Sequence, residues 1–332
     1  MSRLVRRTRE DRERLEDETL SPAATRSTES RGRELPELPG AYRTAFQRDR
    51  DRVVHSKAFR RLKHKTQVFI NPEGDHYVTR LTHTLQVTQI GRSIARNLGL
   101  NEDLAEAICM AHDVGHSPFG HTGEDALSEF VEGEWLHSEQ GVRIFEILEP
   151  LNLSWEVLDG VRAHSWKIVE PPATPEGYVC RYADRIAYLT HDVEDAIRAG
   201  VIKRTDLPAA ALARFGEPGS EWVASMIRAV VDESVQTGVV MMDSDSLEVM
   251  NELRDFMFRR VYLRPETDGQ RRTVVGIVRD LVNYFVAHDA EIPDSYRHNE
   301  ADTLTQVIDY VAGMTDRYAI SVHDELYRPR LF

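Results

Sequence analysis

The chain has 332 residues, of which 41% are hydrophobic and 29% are charged, a composition typical of a soluble globular protein. No apolar run approaches the roughly 20 residues that span a bilayer. The N-terminus has no apolar signal segment, and two cysteines are too few for a disulfide framework. We therefore expect a cytoplasmic protein that does not enter a membrane.

Charge is distributed unevenly along the chain. Residues 1–70 carry 18 Lys and Arg against 11 Asp and Glu, whereas residues 71–332 carry 24 against 44. A basic N-terminal section on an acidic body predicts a phosphate-bearing ligand or a nucleic acid at that end. A solvated charged surface is the alternative, and the alternating signs of residues 1–20 favour it there.

The first 40 residues mix charges with proline, serine and glycine, and we expect an extended or partly ordered arm. Nine basic and two acidic residues follow between positions 41 and 65. The apolar residues among them recur at near-helical spacing, which predicts a helix with one buried face. The other face would keep four cations available to a ligand: Arg60, Arg61, Lys63 and Lys65. Prolines and glycines then predict a small hairpin around 66–79.

The remaining chain predicts helices and few strands. The helix expected at 80–98 has an apolar stripe of Leu81, Leu85, Ile90, Ile94 and Leu98, and Gly99 ends it. Asn101 can cap the next helix, and Thr122 can cap one that runs through Phe130. Further helices are predicted at 138–148, 155–163, 178–199, 222–237, 246–261, 273–288 and 302–318. We expect an all-α fold with at most one small β-hairpin.

The stretch AHDVGHSPFGHTGE, residues 111–124, holds three histidines, an aspartate and a glutamate. The pair His112-Asp113 ends an apolar run, where a charged pair is costly unless it is neutralised or binds a metal. A helix end capped by histidines is the alternative. His83 and Asp184 lie on other predicted helices and can converge on the pair. Two histidines and two aspartates suit Mn²⁺, Fe²⁺, Co²⁺, Ni²⁺, Zn²⁺ or Mg²⁺.

This order of ligands, H…HD…D on helices, resembles the HD superfamily of metal-dependent phosphohydrolases. Longer segments resemble the deoxynucleoside triphosphate triphosphohydrolases, or dGTPase-like proteins, over about residues 40–320. These segments are FQRDRDRVVHSKAFRRLKHKTQVF, TRLTHTLQV, HDVGHSPFGHTGE, HSEQGVRIFE, DRIAYLTHDVEDAIRAG and DYVAGMTDRYA. With the arm at 1–40, we therefore expect a helical-bundle phosphohydrolase core at 41–200 and additional helices at 201–332 packed on that core, as the resemblance implies.

The resemblance implies hydrolysis between the deoxyribose 5′-oxygen and the α-phosphate, which releases a deoxynucleoside and inorganic triphosphate. The residues that match the metal ligands of the family are His83, His112, Asp113 and Asp184. Those that match positions around the α-phosphate are His116, His121, Glu124 and His137. Those that match contacts to the sugar, base or phosphates are Gln67, Val68, Arg80 and Tyr188.

The chemistry of this hydrolysis indicates which residues could act as the general acid and which could bind the phosphates. The leaving 5′-oxygen needs a proton, which a histidine held charged by a carboxylate can donate. We expect His116 or His121, supported by Glu124, as this acid. The charge of the triphosphate favours Arg43, Arg61 and Lys65 as phosphate contacts, and His164 is a further candidate for substrate binding. A second His-Asp pair at 191–192 has acidic neighbours, which indicate a solvated or supporting face and not a second metal site.

Relatives implied by the resemblance form tetramers or hexamers, and some respond to nucleotide effectors. The basic segment also suits single-stranded DNA. One alternative function is an HD phosphohydrolase of other nucleotide specificity, although such enzymes lack the basic KAFRRLKHKTQ segment. Another is a regulator that binds nucleotides or single-stranded nucleic acid with weak catalysis. The sequence does not indicate the base preference, and residues 205–300 carry no recognisable chemistry.

Overall fold

The structure is a computed structural model that describes residues 4–67, 77–298 and 301–328. It confirms the all-α prediction, because the regular elements within these ranges are helices. The α-helices are α1 Arg9–Thr19, α2 Ala45–His55, α3 Lys57–Arg61, α4 Arg80–Leu98, α5 Glu102–Ala111, α6 His121–Ser128, α7 His137–Arg143, α8 Trp155–Ala163, α9 Pro175–Arg198, α10 Ala209–Phe215, α11 Ser220–Thr237, α12 Ser244–Met257, α13 Asp268–Ala287, α14 Thr303–Ala312 and α15 Asp316–Tyr327. None of the helices in the described ranges has the length and apolar character needed to cross a membrane.

Pairing of β type is limited, in the described ranges, to isolated bridges. An antiparallel bridge joins Thr66 to Thr79 at the base of the predicted hairpin. Residues 68–76, which would form its arms and turn, lie outside the described part of the chain. Val68 and His76 lie there too, so the predicted role of Val68 stays a prediction.

The N-terminal arm contains a helix, contrary to the expected extended segment. Thr8 caps α1 through its hydroxyl, which accepts from the backbone N–H of Asp11, while the Asp11 carboxylate accepts from the Thr8 N–H at 2.9 Å. Such a capping box satisfies two of the otherwise free N–H groups at a helix start. The arm then packs on the body, where the Thr25 hydroxyl donates to Glu176 at 2.8 Å. The cap of α1 and these contacts explain why the arm is structured, although its composition suggested an extended segment.

Helices α4, α5 and α9 pack together at the centre of the molecule and carry the residues of the candidate site. The buried face of α4 includes Val87, Ile90 and Ile94. Leu85, which the sequence placed on the apolar stripe, is 48% exposed. Gly91 lets α5 approach, since a β-carbon there would lie 2.7 Å from the Cys109 sulfur. Each fully buried aliphatic side chain contributes about 1.5–3 kcal/mol, so this interface fixes the three helices relative to one another.

Two hydrophobic clusters form the core. The larger one extends from Ala24 to Val261 and includes Trp222, Met226 and Met250 beside residues of α4, α5 and α9. The smaller one joins α13 and α14 to the region around α6, with Val278 and Phe285 beside Leu127 and Trp135 as examples. Helices beyond position 200 therefore contribute side chains to both hydrophobic clusters, and each cluster also contains residues from the helices that carry or adjoin the candidate site.

The segment predicted as one helix at 302–318 is two helices. α14 ends at Ala312, and α15 starts at Asp316 with Thr315 as its cap. A β-carbon at Gly313 would lie 2.6 Å from the Tyr296 hydroxyl, so this close turn requires glycine. A second correction concerns α6, which begins at His121 after Gly120 and not with Thr122 as its cap.

Candidate active site

Four side chains from three helices converge at the predicted metal site. His83 lies in α4, His112 and Asp113 follow the end of α5, and Asp184 lies in α9. The Asp184 Oδ1 atom lies 3.1 Å from His83 Nε2 and 3.9 Å from His112 Nε2. The Asp113 carboxylate lies 3.4 Å from His112 Nε2 and 3.6 Å from His83 Nε2. A cation with bonds of about 2.1 Å holds neighbouring ligand atoms roughly 3–4 Å apart, so these four residues fit one.

The ring of His112 is fixed in the orientation that a metal ligand needs. Its Nδ1 lies 2.7 Å from the backbone oxygen of Cys109, so Nδ1 carries the proton and donates it. Its Nε2 is buried and has no hydrogen-bond partner among the described residues. A buried acceptor without a partner is costly, and a divalent cation would satisfy it. This orphaned nitrogen is the strongest structural indication of a metal site.

Asp113 is also held by Arg80 and His116, which are not among the candidate metal ligands. Arg80 donates from Nη1 to Asp113 Oδ2 at 2.9 Å, with both side chains almost fully buried. His116 Nε2 lies 3.0 Å from Asp113 Oδ1. Burial alone would raise the pKa of the Asp113 carboxyl, but His112, His116 and Arg80 outweigh it and hold that pKa well below its ordinary value. The carboxylate is therefore ionised, as metal binding requires.

A chain of polar contacts extends from His83 into the C-terminal region. His83 Nδ1 lies 2.8 Å from Nε2 of His191, and His191 Nδ1 lies 2.8 Å from Asp192 Oδ1, without the alignment of a hydrogen bond. The Tyr262 hydroxyl donates to Asp192 Oδ2 at 2.6 Å. His191 and Asp192 thus support the ring of His83, a candidate ligand. Tyr262, from a region in which the sequence indicated no chemistry, completes the chain.

A second group of side chains surrounds Glu124, beside the first. The buried Glu124 carboxylate makes a short contact with Nδ1 of His116 and lies 3.1 Å from Nδ1 of His121 and 3.3 Å from Nδ1 of His137. The His116 and His137 rings stack with their centroids 3.7 Å apart. The structure therefore brings together the four residues that were predicted around the α-phosphate.

The histidines around Glu124 differ in exposure and in protonation. Burial and Arg80 lower the pKa of His116 to about 4, despite its two carboxylate neighbours. Burial also opposes the imidazolium of His121, but Glu124 outweighs it and raises the pKa of His121. The His121 side chain is 69% exposed, which weakens the effect of burial and favours Glu124 as the determinant. Of the two predicted acids, His121 is the one with a raised pKa and an accessible side chain.

The loop between α5 and α6 needs tight backbone contacts. A β-carbon at Gly115 would lie 2.0 Å from the His137 backbone oxygen. Phe119 adopts a left-handed φ of 63°, and Asp316 accepts a hydrogen bond from its N–H at 2.8 Å. Asp316 also accepts from the Thr66 N–H at 2.9 Å. Asp316 thereby ties the loop that carries His116 to the segment that carries Gln67.

Lys65 is buried, which corrects the expectation that its ammonium stays on an exposed face. Its Nζ donates to the backbone oxygens of His116, in a short contact, and Ala312, at 3.2 Å. Burial, reinforced by Arg61, lowers the pKa of Lys65 to about 7. In this structure Lys65 supports the backbone on both sides of it, and the predicted phosphate contact stays a prediction.

The other candidates for substrate binding occupy varied positions. Gln67 is half-buried, and its Oε1 has no hydrogen-bond partner in the described ranges. Tyr188 lies one turn after Asp184, and burial raises its pKa to about 12. His164 is buried within the histidine cluster, with its ring centroid 5.1 Å from that of His112. Arg43 is exposed and pairs with Asp51 at 2.5 Å, away from these groups.

Much of the basic segment is neutralised within the molecule. Arg48 and Arg52 both pair with Glu37 at 2.7 Å, and Arg50 pairs with Asp51 at 2.8 Å. Arg61 forms no ion pair with the described residues, and it lines a cavity of about 330 Å³ together with Tyr296 and Tyr310. The net positive charge of the sequence segment is therefore a poor guide to the charge that a ligand would meet.

Family models match two parts of the chain. Residues 80–189 match the HD domain, and residues 240–325 match a phosphohydrolase-associated domain. The first match contains the four candidate metal ligands and the Glu124 group. The second contains Asp316, which contacts Phe119 within the first region, and Tyr262, which contacts Asp192 just beyond its end.

Curated relatives resemble the chain over nearly its full length. A protein from Caldanaerobacter subterraneus subsp. tengcongensis is 46% identical, with 97% of this chain and 96% of that protein covered. One from Desulfatibacillum aliphaticivorans is 44% identical, covering 97% and 98% respectively. Both carry the name deoxyguanosinetriphosphate triphosphohydrolase-like protein.

Solved structures share the fold at low sequence identity. A hypothetical protein from Aquifex aeolicus superposes with a TM-score of 0.50 at 21% identity, over 86% of this chain and 69% of that one. A phosphohydrolase from Bacteroides thetaiotaomicron VPI-5482 gives 0.51 at 18%, over 84% and 69%. At these identities the likeness extends to the fold alone.

Proposed function

The chain belongs to the family of deoxyguanosinetriphosphate triphosphohydrolase-like proteins, which are HD phosphohydrolases, and from this membership we propose that it hydrolyses deoxynucleoside triphosphates with the help of a divalent cation. The products are a deoxynucleoside and inorganic triphosphate. The observation that carries the proposal is the juxtaposition of two groups. The orphaned Nε2 of His112 faces the carboxylates of Asp113 and Asp184, and the Glu124 group adjoins them through His116.

His83, His112, Asp113 and Asp184 would hold the cation. A divalent cation bound there supplies positive charge that stabilises the developing charge on the α-phosphate. Mn²⁺, Fe²⁺, Co²⁺, Ni²⁺, Zn²⁺ and Mg²⁺ all accept such a mixed set of nitrogen and oxygen ligands. The contact of His112 Nδ1 with the Cys109 backbone oxygen directs Nε2 toward the cation, and the ionised Asp113 is in the form that a cation needs.

His121 is our choice for the general acid. In the hydrolysis, a water oxygen forms a bond to the α-phosphorus and releases a proton to the solvent as the bond from phosphorus to the 5′-oxygen breaks. His121 donates a proton to that 5′-oxygen, and Glu124 holds the His121 ring charged and oriented through the contact at 3.1 Å. His116 and His137 keep Glu124 in position from its other sides.

Each proposed substrate contact rests on a different observation. The partnerless Oε1 of Gln67 suits a hydroxyl donor such as the sugar 3′-OH. Tyr188 extends from the same helix as Asp184 and suits the sugar or phosphates. Arg80 acts through Asp113, to which it is bonded. Arg61, which pairs with no carboxylate in the described part of the chain, is the better phosphate contact of the basic segment.

The test is a product analysis. Purified protein is incubated with each deoxynucleoside triphosphate, singly and mixed, in Mn²⁺ or Mg²⁺. Inorganic triphosphate and the deoxynucleoside are the expected products, and a His112→Ala, Asp113→Ala double variant is expected to form neither. Release of pyrophosphate, or no turnover with any mixture, would refute the proposed reaction.

A further inference from the structure

A buried carboxylate in α14, Asp309, is bonded to side chains of α7, the helix that begins with His137. Asp309 is 1% exposed. Its Oδ1 accepts from Gln140 Nε2 at 2.9 Å and from Arg143 Nε at 2.8 Å, and its Oδ2 accepts from Arg143 Nη2 at 2.7 Å. We propose that Asp309 is a positioning residue of the reaction, which holds α7 so that His137 can fix the Glu124 carboxylate. This inference rests on the proposed function.

The position of α7 depends on contacts with other segments. The helix has seven residues, and its N-cap, Leu136, makes no side-chain hydrogen bond to the first turn. Helices shorter than about 12 residues are marginal on their own in water. Gln140 and Arg143 are three residues apart and therefore share one face, which both residues direct toward Asp309. The bidentate contact of a guanidinium with a carboxylate fixes direction as well as distance, so Asp309 sets the orientation of this face.

α7 forms one wall of the Glu124 group. The His137 ring stacks on that of His116 with centroids 3.7 Å apart, and its Nδ1 lies 3.3 Å from the Glu124 carboxylate. The backbone of α7 also abuts the loop that carries His116. A β-carbon at Gly115 would lie 2.0 Å from the His137 backbone oxygen and 2.4 Å from the Gly141 nitrogen. A shift of α7 must therefore move the His137 ring, the loop or both.

The same end of α14 supports the opposite side of the group. Ala312, three residues after Asp309, accepts from Lys65 Nζ at 3.2 Å, and Lys65 also contacts the His116 backbone oxygen. The last turn of α14 thus holds α7 through Asp309 and the His116 loop through Lys65. Asp309 does not touch the reacting atoms in this arrangement. Its effect on the reaction passes through His137 to Glu124, which holds the proposed acid.

A purely structural ion pair is the competing explanation, and it has different consequences. A buried pair that only joins α14 to the core would change the stability of the protein and leave the rate of each folded molecule unchanged. A positioning residue changes that rate. Because Asp309 bonds to α7 and not to the four candidate metal ligands, its loss should lower kcat while the Mn²⁺ affinity stays the same.

The experiment compares full-length Asp309→Asn with Asp302→Ala. Asp302 is exposed and caps α14 through Thr305, so its variant weakens the same helix without touching α7. With the deoxynucleoside triphosphate that the wild type hydrolyses fastest, we expect Asp309→Asn to lower kcat about tenfold, less than the roughly 10²-fold that a 1 Å misplacement can cause. KM and the Mn²⁺ Kd should not change. Asp302→Ala should lose stability and keep its kcat.

A nuclear magnetic resonance measurement on protein with isotope-labelled histidines reports the position of His137 without using activity. The His137 signal, assigned by its loss in His137→Gln, should move in Asp309→Asn and stay in place in Asp302→Ala. Arg143→Lys keeps the positive charge and loses the bidentate contact. It should move the same signal and lower kcat in the same direction, which tests the link even where Asp309→Asn does not fold.

The other outcomes refute the inference in distinguishable ways. A wild-type kcat in Asp309→Asn and Arg143→Lys would refute it, whether or not the His137 signal moves. Equal losses of kcat in Asp309→Asn and Asp302→Ala would reduce Asp309 to a structural anchor of α14. These results would leave wild-type turnover, and so the proposed function, standing. A wild type that hydrolyses no deoxynucleoside triphosphate would refute the proposed function and, with it, the role of Asp309 in that reaction.

Discussion

His121 Nδ1 lies 3.1 Å from Oε2 of Glu124, with the histidine largely exposed and the carboxylate buried. A histidine in this position can contact a substrate while the buried carboxylate stabilises the positive charge of its ring. We predict that His121→Gln lowers kcat by about 10²-fold, the usual contribution of general acid–base catalysis, and leaves the Mn²⁺ affinity unchanged. His288→Gln is the surface control. A wild-type kcat for His121→Gln would remove His121 from the reaction.

The pH dependence of turnover follows from the same pair. A general acid must be protonated, so its contribution is present below its pKa and is lost as pH rises through that value. Glu124 raises the pKa of His121, which extends activity toward higher pH. Glu124→Gln removes the negative charge, so the descending limb of the kcat profile should move to lower pH. An unmoved limb would show that another group supplies the proton.

Tyr262 supports His83 through Asp192 and His191. Partners of this kind orient a ligand, and their loss typically weakens metal binding by 10–100-fold. Because three contacts separate Tyr262 from the candidate ligand His83, we predict a rise of about tenfold, the lower end of that range, in the Mn²⁺ Kd of Tyr262→Phe, measured by calorimetry. Tyr327→Phe loses a hydroxyl contact far from His83 and should bind Mn²⁺ as the wild type does. Equal affinities in both variants would contradict the supporting role.

Lys65 should make stability depend on pH above neutrality. Its pKa is lowered from 10.5 to about 7 in the folded protein, so between these values the unfolded chain binds more protons. The free energy of unfolding contributed by Lys65 therefore rises from pH 7 toward pH 10. In Lys65→Met this contribution is absent, so the difference between wild type and variant in urea unfolding should change across that range. A difference independent of pH would mean that the Lys65 pKa is not lowered.

Asp316 holds two backbone N–H groups, of Thr66 and Phe119. Its removal leaves buried donors without partners, at a cost of about 1–3 kcal/mol each. We predict that Asp316→Ala lowers the free energy of unfolding by about 3 kcal/mol and also lowers kcat, because the loop before His121 loosens. Asp324→Ala, on the exposed side of the same helix, should do neither. Full activity in Asp316→Ala would show that the loop is held by other contacts.

Local patterns predicted the helices well where capping and periodicity agree. Gly99 ends α4 in the left-handed conformation, and Asn101 caps α5, as expected from the sequence. The break between α14 and α15 was missed because their apolar residues continue one helical period across Gly313. Thr315 was the signal, since a threonine before an aspartate is a common helix start.

Contacts between segments that are far apart in the chain could not be predicted from the sequence. The spacing of Asp184, Tyr188 and His191 predicts a shared face of one helix, but it does not indicate that Tyr262 reaches Asp192. The burial of Lys65 between the backbone oxygens of His116 and Ala312 is equally a matter of packing. The sequence predicts an exposed lysine in such a basic run, because it does not show which distant segments pack over the side chain.

The contact between Asp316 and Phe119 also bears on when the protein becomes active in a cell. Asp316 is synthesised nearly two hundred residues after the loop that it fastens. A ribosome-bound chain can already contain every candidate metal ligand and both proton-handling residues, His121 and Glu124, and still lack this fastening. Until Asp316 has left the ribosome, the nascent chain therefore lacks the hydrogen bond that joins this loop to α15.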